Sequence, residues 1–180
     1  MTKIVEEFFY DGAREKMDRL GLAPLLDEIR SALQSFSLLV LEQKNKNSGG
    51  VLRQMIDMAF VSARGWENTV SGGIDWVKCK TVNGTKVCIG VEVQVSARSD
   101  LITRDVVHLQ KQFREGAIDL GIIILPSDDL SYFLTDRAPA ASDGKRIIHE
   151  MRADDLPLVI LAIQHDGPAK KALPKMKTKH

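Results

Sequence analysis

Residues 74–96 read IDWVKCKTVNGTKVCIGVEVQVS and contain two β-rich runs on either side of Asn83-Gly84. This dipeptide is the strongest short signal for a β-hairpin, because a type I′ turn needs a positive φ at both central residues. If these two residues form the loop, Val82 faces Thr85 and the residue numbers of every facing pair sum to 167. The stretch therefore predicts a hairpin with a defined register.

This register places Asp75 directly opposite Glu92, and Cys79 directly opposite Cys88. A β-bulge would shift the pairing by one residue, and Gly90 is where we would expect one. Strand alternation predicts that one face of the hairpin is core: Ile74, Trp76, Val82, Val87, Ile89, Val91, Val93 and Val95. The opposite face collects Asp75, Cys79, Cys88, Glu92 and Gln94.

Two carboxylates on the same face of paired strands repel each other unless a positive charge lies between them. Oxygen ligands from Asp75, Glu92, the backbone carbonyl of Val93 and water would suit Mg²⁺, which partners readily with phosphate oxygens. Such a cation predicts phosphodiester hydrolysis, in which Gln94 could orient the attacking water. The alternative is that these side chains are the solvated face of an amphipathic hairpin.

The pattern GID-x(16)-EVQ resembles the PD-(D/E)XK nuclease fold, and VEVQVSARSD is similar to the BglII and BstYI group of type II restriction endonucleases. Three further segments are similar to that group: GGVLRQMIDMAFVSARGWEN, IDLGIIILPSDDLS and PLVILAI, so that the resemblance runs from about Gly49 to Ile163. It implies a type II site-specific deoxyribonuclease that depends on Mg²⁺.

Carried over residue by residue, the resemblance makes Asp75 and Glu92 metal ligands and Gln94 the counterpart of a catalytic lysine. The group also places an acidic or amide residue just past its tryptophan. Here that position aligns with Glu67, Asn68 or Thr69, of which we favour Glu67.

The resemblance also implies that DNA bases are read by two segments, residues 96–100 and about 140–145. Arg98 and Lys145 are suitable donors to guanine, and Ser142 or Asp143 could address the amino group of adenine or cytosine. Ser96 begins the first segment. Solvated loop residues would give the same pattern.

The rest of the chain predicts an α/β fold with a restriction-endonuclease-like core, a mixed central β-sheet flanked by helices. Helical periodicity predicts helices over 13–20, 24–36, 51–64 and 101–115, and buried strands over 118–126 and 157–163. Residues 37–42 are either a strand or a helix end, and 147–152 are expected to be helical. We expect one nuclease domain over 1–166 and a disordered basic tail over 167–180, which has five lysines and no acidic residue.

The composition excludes little, since the formal net charge is +1 and any nucleic-acid surface must be local. No apolar run is long enough to span a bilayer, and the first residues lack a signal-peptide pattern, so a cytoplasmic protein with reduced cysteines is expected. The four histidines, at 108, 149, 165 and 180, have no paired-ligand spacing and are expected to be surface or half-buried.

A restriction enzyme that cuts a short palindrome is expected to be a homodimer, because two-fold protein symmetry matches the symmetry of the site. By analogy with the group, the site would contain a GATC core, and a companion DNA methyltransferase would belong to the same system. The alternatives are a repair or junction nuclease on the same fold and a DNA-binding module that does not cut.

Overall fold

The computed structural model describes residues 1–69, 73–96, 101–135 and 137–174. These residues form strands β1 (Lys3–Phe9), β2 (Leu39–Val40), β3 (Glu67–Asn68), β4 (Trp76–Val82), β5 (Thr85–Val93), β6 (Leu120–Pro126), β7 (Leu158–Gln164) and β8 (Gly167–Pro168). The helices are α1 (Ala13–Arg19), α2 (Ala23–Leu33), α3 (Gly49–Ser62), α4 (Leu101–Arg114), α5 (Asp128–Phe133) and α6 (Ala141–Glu150).

A mixed six-stranded sheet in the order β1-β7-β6-β5-β4-β3 lies at the centre of the protein. Strands β5, β6 and β7 are parallel, whereas β1, β4 and β3 each run antiparallel to a neighbour. Parallel strands end at the same edge of a sheet, so residues that follow β5 and β6 lie at one edge. The expected α/β fold with a mixed central sheet is confirmed.

The predicted hairpin register is confirmed by β4 and β5, which pair without a shift from Trp76 opposite Val91 to Val82 opposite Thr85. Asn83 and Gly84 have φ values of 49° and 80°, as a type I′ turn requires. The bulge considered at Gly90 is absent from this pairing, since Gly90 faces Val77 in regular register. Asp75 lies just before β4, and its N–H donates to the Val91 carbonyl at 3.1 Å.

Both faces of the hairpin are buried, which corrects the expectation of a single core face. On one side, Trp76, Val91 and Val93 pack with side chains of α1, α2 and α3. On the other side, α4 and α6 cover Cys88 together with Ile74, which was expected on the first face. Glu92 therefore faces the second helix layer, where it contacts His108 of α4, instead of open solvent.

Cys79 and Cys88 lie directly opposite each other, with Cα atoms 4.0 Å apart, as the register predicted. Their sulfur atoms are bonded in a disulfide, so the expectation of two thiols is wrong. The direct pairing of these two positions brings their side chains together near the tip of the hairpin.

Most boundaries fall within a few residues of their predicted positions, and three differences matter. β1 was not predicted: it is an edge strand, and an irregularity between Ile4 and Glu6 breaks its alternation. Residues 37–42 contain the short strand β2. Part of the expected tail is ordered, because β8 pairs with β2 and the Leu173 N–H donates to Asn47 at 3.2 Å.

Candidate active site

A cluster of charged side chains lies where β4 begins and β5 ends. Asp75 and Glu92 come from the hairpin, Arg53 comes from α3, and Asp105 and His108 come from α4. The helices enclose the cluster from opposite faces of the sheet, since α3 belongs to one core and α4 to the other.

Asp75 is held by two contacts that fix its carboxylate. One oxygen accepts a hydrogen bond from the Val93 N–H at 2.7 Å, and the other forms an ion pair with Arg53 at 2.8 Å. The second nitrogen of the Arg53 guanidinium donates to the Val93 carbonyl at 2.9 Å, and its Nε donates to Asp57. The guanidinium therefore bridges Asp75 and the Val93 carbonyl, two groups predicted to share a metal ion.

Glu92 is 3% exposed and lies 3.2 Å from Nδ1 of His108. The pKa of Glu92 is raised to about 10. Burial is the largest cause, and the neighbouring carboxylates of Asp75 and Asp105 contribute to the same increase. Ionisation of this carboxyl group is therefore costly unless a positive charge lies beside it.

Asp105 is 2% exposed, and one of its oxygens, Oδ2, has no hydrogen-bond partner among the described residues. Burial raises the pKa of Asp105 to about 7, partly offset by Arg104, whose Nε lies 3.8 Å from the other oxygen. Burial also lowers the pKa of His108, and the charge of Arg104 adds to this effect. Each shift favours the state with less charge.

One ligand atom from each of Glu92, Asp105 and His108 lies within 4.8 Å of the other two. Buried carboxylates that are short of partners are the donors that a divalent cation uses, and the unpaired oxygen of Asp105 fits this role. The donor set of the cluster thus suits a divalent cation. Since imidazole nitrogen is among the donors, the set does not single out Mg²⁺.

Gln94 follows β5 and is 5% exposed. Its backbone N–H donates to the Ile124 carbonyl at 2.9 Å, and its side-chain amide donates to the Ser96 carbonyl at 2.8 Å. These two bonds fix Gln94 at the edge of the sheet, one residue beyond Val93.

Of the residues considered just past the tryptophan, Glu67 and Asn68 are exposed on β3, where Glu67 faces Val77. Thr69 is the residue that bonds to the cluster, because its N–H donates to the Asp75 carbonyl at 3.3 Å. The preference for Glu67 therefore gains no support from a contact to Asp75.

The segment predicted to read bases through Ser142, Asp143 and Lys145 is not a loop, because all three lie on α6. Ser142 donates to Asp128, Asp143 accepts from the Ala140 N–H at 3.1 Å, and Lys145 pairs with Glu6. Ser96 is half-buried at the end of β5. Arg98 lies outside the described residues.

Sequence reasoning found Asp75 and Glu92 but missed three members of the cluster. Arg53 is 40 residues before the Val93 carbonyl that it contacts, and no local pattern connects them. Asp105 and His108 did carry a signal, since a separation of three residues places both on one face of the predicted helix. Their proximity to Glu92 depends on how α4 packs against the sheet.

Across the described ranges, no helix combines the length and apolar character needed to cross a bilayer. A search of curated proteins returns no match. The family described as restriction endonuclease BglII/BglIII matches residues 5–163. These residues contain all members of the charged cluster and the central sheet, except for the first two residues of β1 and the last residue of β7. This chain belongs to the restriction endonuclease BglII/BglIII family.

Proposed function

We propose that this protein is a type II restriction endonuclease that hydrolyses both strands of a short palindromic DNA site with the help of Mg²⁺. Family membership makes it a nuclease with DNA as its substrate. The observation that carries the finer proposal is the convergence of Asp75, Glu92 and Asp105, with two of these carboxyl groups buried, at the carboxyl end of β5.

Asp75 and Glu92 would hold the cation, and Val93 would add its carbonyl oxygen, one lone pair of which accepts the bond from Arg53. When bound, the cation would polarise the scissile phosphate and lower the pKa of a water molecule. Gln94, fixed through its bond to Ser96, would orient that water without acting as a base. Arg53 would add a fixed positive charge close to where phosphate charge develops.

Base recognition is proposed for the segment that begins at Ser96 and includes Arg98, because it directly follows the site on β5. A base contact from Ser142, Asp143 or Lys145 would replace the intramolecular bond that each side chain makes. A GATC core, a homodimer and a companion methyltransferase remain parts of the proposal that rest on the family. We also retain Glu67 as a supporting residue of the site within this proposal.

The test is plasmid cleavage with Mg²⁺ by the wild type and by Asp75→Asn and Glu92→Gln variants. The wild type should give discrete bands, and each variant should lose at least about a hundredfold in rate, since each removes a carboxylate from the cation. Glu150→Gln, an exposed change on α6, is the matched control and should cut normally.

A gel shift with Ca²⁺ separates binding from cutting, because contacts to bases and phosphates do not require catalysis. Both variants should still shift DNA that contains the cognate site. Cutting by structure instead of sequence would favour a repair or junction nuclease. Shifted but uncut DNA with Mg²⁺ or Mn²⁺ would favour a binding module, and full activity of the Asp75 and Glu92 variants would refute this site.

A further inference from the structure

Glu92, Asp105 and His108 lie close enough to surround one ion. Ligand atoms that are about 2.1 Å from a cation lie about 3 to 4 Å apart around it. One donor atom of each residue already lies within 4.8 Å of the others. A small contraction of the side chains would therefore produce a coordination shell.

The second observation is independent of this clustering. Asp105 is 2% exposed, yet its Oδ2 has no hydrogen-bond partner among the described residues. Buried carboxylate oxygens are normally bonded, and an isolated one is costly. A cation would satisfy this oxygen directly.

His108 would complete the set of three ligands and still leave a path for the ion from solvent. Its side chain is 29% exposed, so the ring lies between the buried carboxyl groups and the solvent. Gly73 lies beside the ring, where a Cβ would make an ordinary contact at 3.4 Å, and its φ of +91° favours glycine. The backbone at Gly73 therefore borders the imidazole on this side.

The Arg53 guanidinium does not occupy the place of a cation between Glu92, Asp105 and His108. Its guanidinium engages Asp75, Asp57 and the Val93 carbonyl, none of which belongs to the group of Glu92, Asp105 and His108. An ion on the α4 side of Glu92 could therefore bind with the Arg53 contacts intact.

We propose that Glu92, Asp105 and His108 form a divalent-cation subsite on the α4 side of the candidate active site, with Mn²⁺ preferred over Mg²⁺. The subsite shares Glu92 with the hairpin ligands and so rests on the proposed function, which it deepens by adding a nitrogen ligand. The preference follows from His108, because Mg²⁺ takes oxygen ligands, whereas a site with both nitrogen and oxygen donors binds divalent first-row transition metals, Mn²⁺ among them.

The experiment is electron paramagnetic resonance of Mn²⁺ bound to the full-length protein in the absence of DNA. A nitrogen ligand couples its ¹⁴N nucleus to the electron spin, so the pulsed spectrum of the wild type should contain ¹⁴N modulation. His108→Gln should abolish the modulation. Asp105→Asn should weaken Mn²⁺ binding at least about tenfold, since loss of even an outer-sphere partner has an effect of that size.

The controls are His149→Gln and Asp154→Asn, two changes at the exposed end of α6. Both should retain the wild-type affinity and modulation. Circular dichroism melts of all variants identify any that fail to fold, and the ¹⁴N spectrum of the folded wild type tests the proposal even if a variant is lost.

Two results would overturn the subsite. Bound Mn²⁺ without ¹⁴N modulation would mean that the imidazole is not a ligand, and the ion would then belong to Asp75 and Glu92. Failure of Mn²⁺ to bind the free protein at millimolar concentration would also refute it. Plasmid cleavage with Mg²⁺ tests the proposed function separately. If the protein cleaves DNA but its bound Mn²⁺ shows no ¹⁴N modulation, only the subsite is refuted.

Discussion

At the scale of single residues, Arg53 places a positive charge beside the carboxylate of Asp75, close to Glu92 and Asp105. Its guanidinium contacts Asp75 at 2.8 Å and the Val93 carbonyl at 2.9 Å, so it supplies the positive charge that the hairpin pattern requires. The sequence argument assigned that charge to a metal ion alone. In the structure, Arg53 compensates the charge of the Asp75 carboxylate. Among the described residues, no hydrogen bond or ion pair joins Arg53 to Glu92 or Asp105.

Replacing Arg53 with methionine should therefore destabilise the metal-free protein by about 2 kcal/mol, because it leaves Asp75 uncompensated in a partly buried site. Added Mn²⁺ should recover part of the loss, because the ion supplies the missing charge. Urea unfolding in EDTA and in Mn²⁺ measures both effects. Arg146→Met, which removes solvent-exposed ion pairs on α6, should cost much less stability than Arg53→Met, because such pairs contribute little. Equal losses for the two variants would contradict the role given to Arg53.

The residues that the sequence could and could not predict differ in how they reach the site. Asp75 and Glu92 are fixed by a two-residue turn, so a register argument placed them correctly next to each other. Asp105 and His108 arrive through the packing of α4, and Arg53 arrives through the packing of α3. Local periodicity predicts such helices but not the neighbours of their side chains.

At the scale of elements, the start of α3 is pressed against the end of β5. A Cβ at Gly49 would lie 2.5 Å from the Val95 carbonyl oxygen and 3.1 Å from the Cα of Ser96. Both obstacles are backbone atoms, which cannot rotate away. Only glycine therefore allows this approach, and the approach holds α3, with Arg53, over the ligand end of the strand.

Gly49→Ala should lower the free energy of unfolding by about 1 to 3 kcal/mol through overpacking. It should also weaken Mn²⁺ binding, since α3 must move away from β5. Gly167→Ala is the matched control, because a Cβ there meets only Leu39 at an ordinary 3.6 Å. Urea unfolding compares the two variants. A Gly49→Ala protein as stable as the control would mean that α3 is not in close contact with the strand.

The helix α6 marks the limit of what the sequence could predict for elements. Its first half was expected to be a base-reading loop because the family resemblance places such a loop at about residues 140–145, in a stretch rich in polar and turn residues. In the structure Gly144 lies inside the helix, where a Cβ would approach Leu125 to 2.4 Å. Packing against β6, rather than local preference, decides this segment.

At the scale of the whole molecule, two helix layers bury both faces of the sheet and leave some apolar side chains outside. Met58 and Val61 are 63% and 69% exposed on α3, on the side of the helix that does not pack on the sheet. They lie near a groove between α2 and α3. Its lining is mixed, with the apolar residues Pro24, Ala32, Ala59 and Ala63 beside the polar residues Asp27, Glu28, Ser31, Ser35 and Ser62. Within the proposed function, in which a homodimer acts on a palindrome, the exposed Met58 and Val61 are the candidate dimer contact.

If α3 forms the dimer contact, a Met58→Glu, Val61→Glu double variant should sediment as a monomer at concentrations where the wild type is a dimer, because two charges would be buried against their symmetry copies. It should then nick plasmid DNA one strand at a time, since each subunit would cut one strand. Tyr132→Glu, at another exposed hydrophobic position outside α3, is the control and should remain dimeric. Analytical ultracentrifugation with and without cognate DNA measures the oligomeric state. A double variant that stays dimeric would mean that the dimer interface is not on α3. A wild type that is monomeric in both conditions would refute the homodimer in the proposed function.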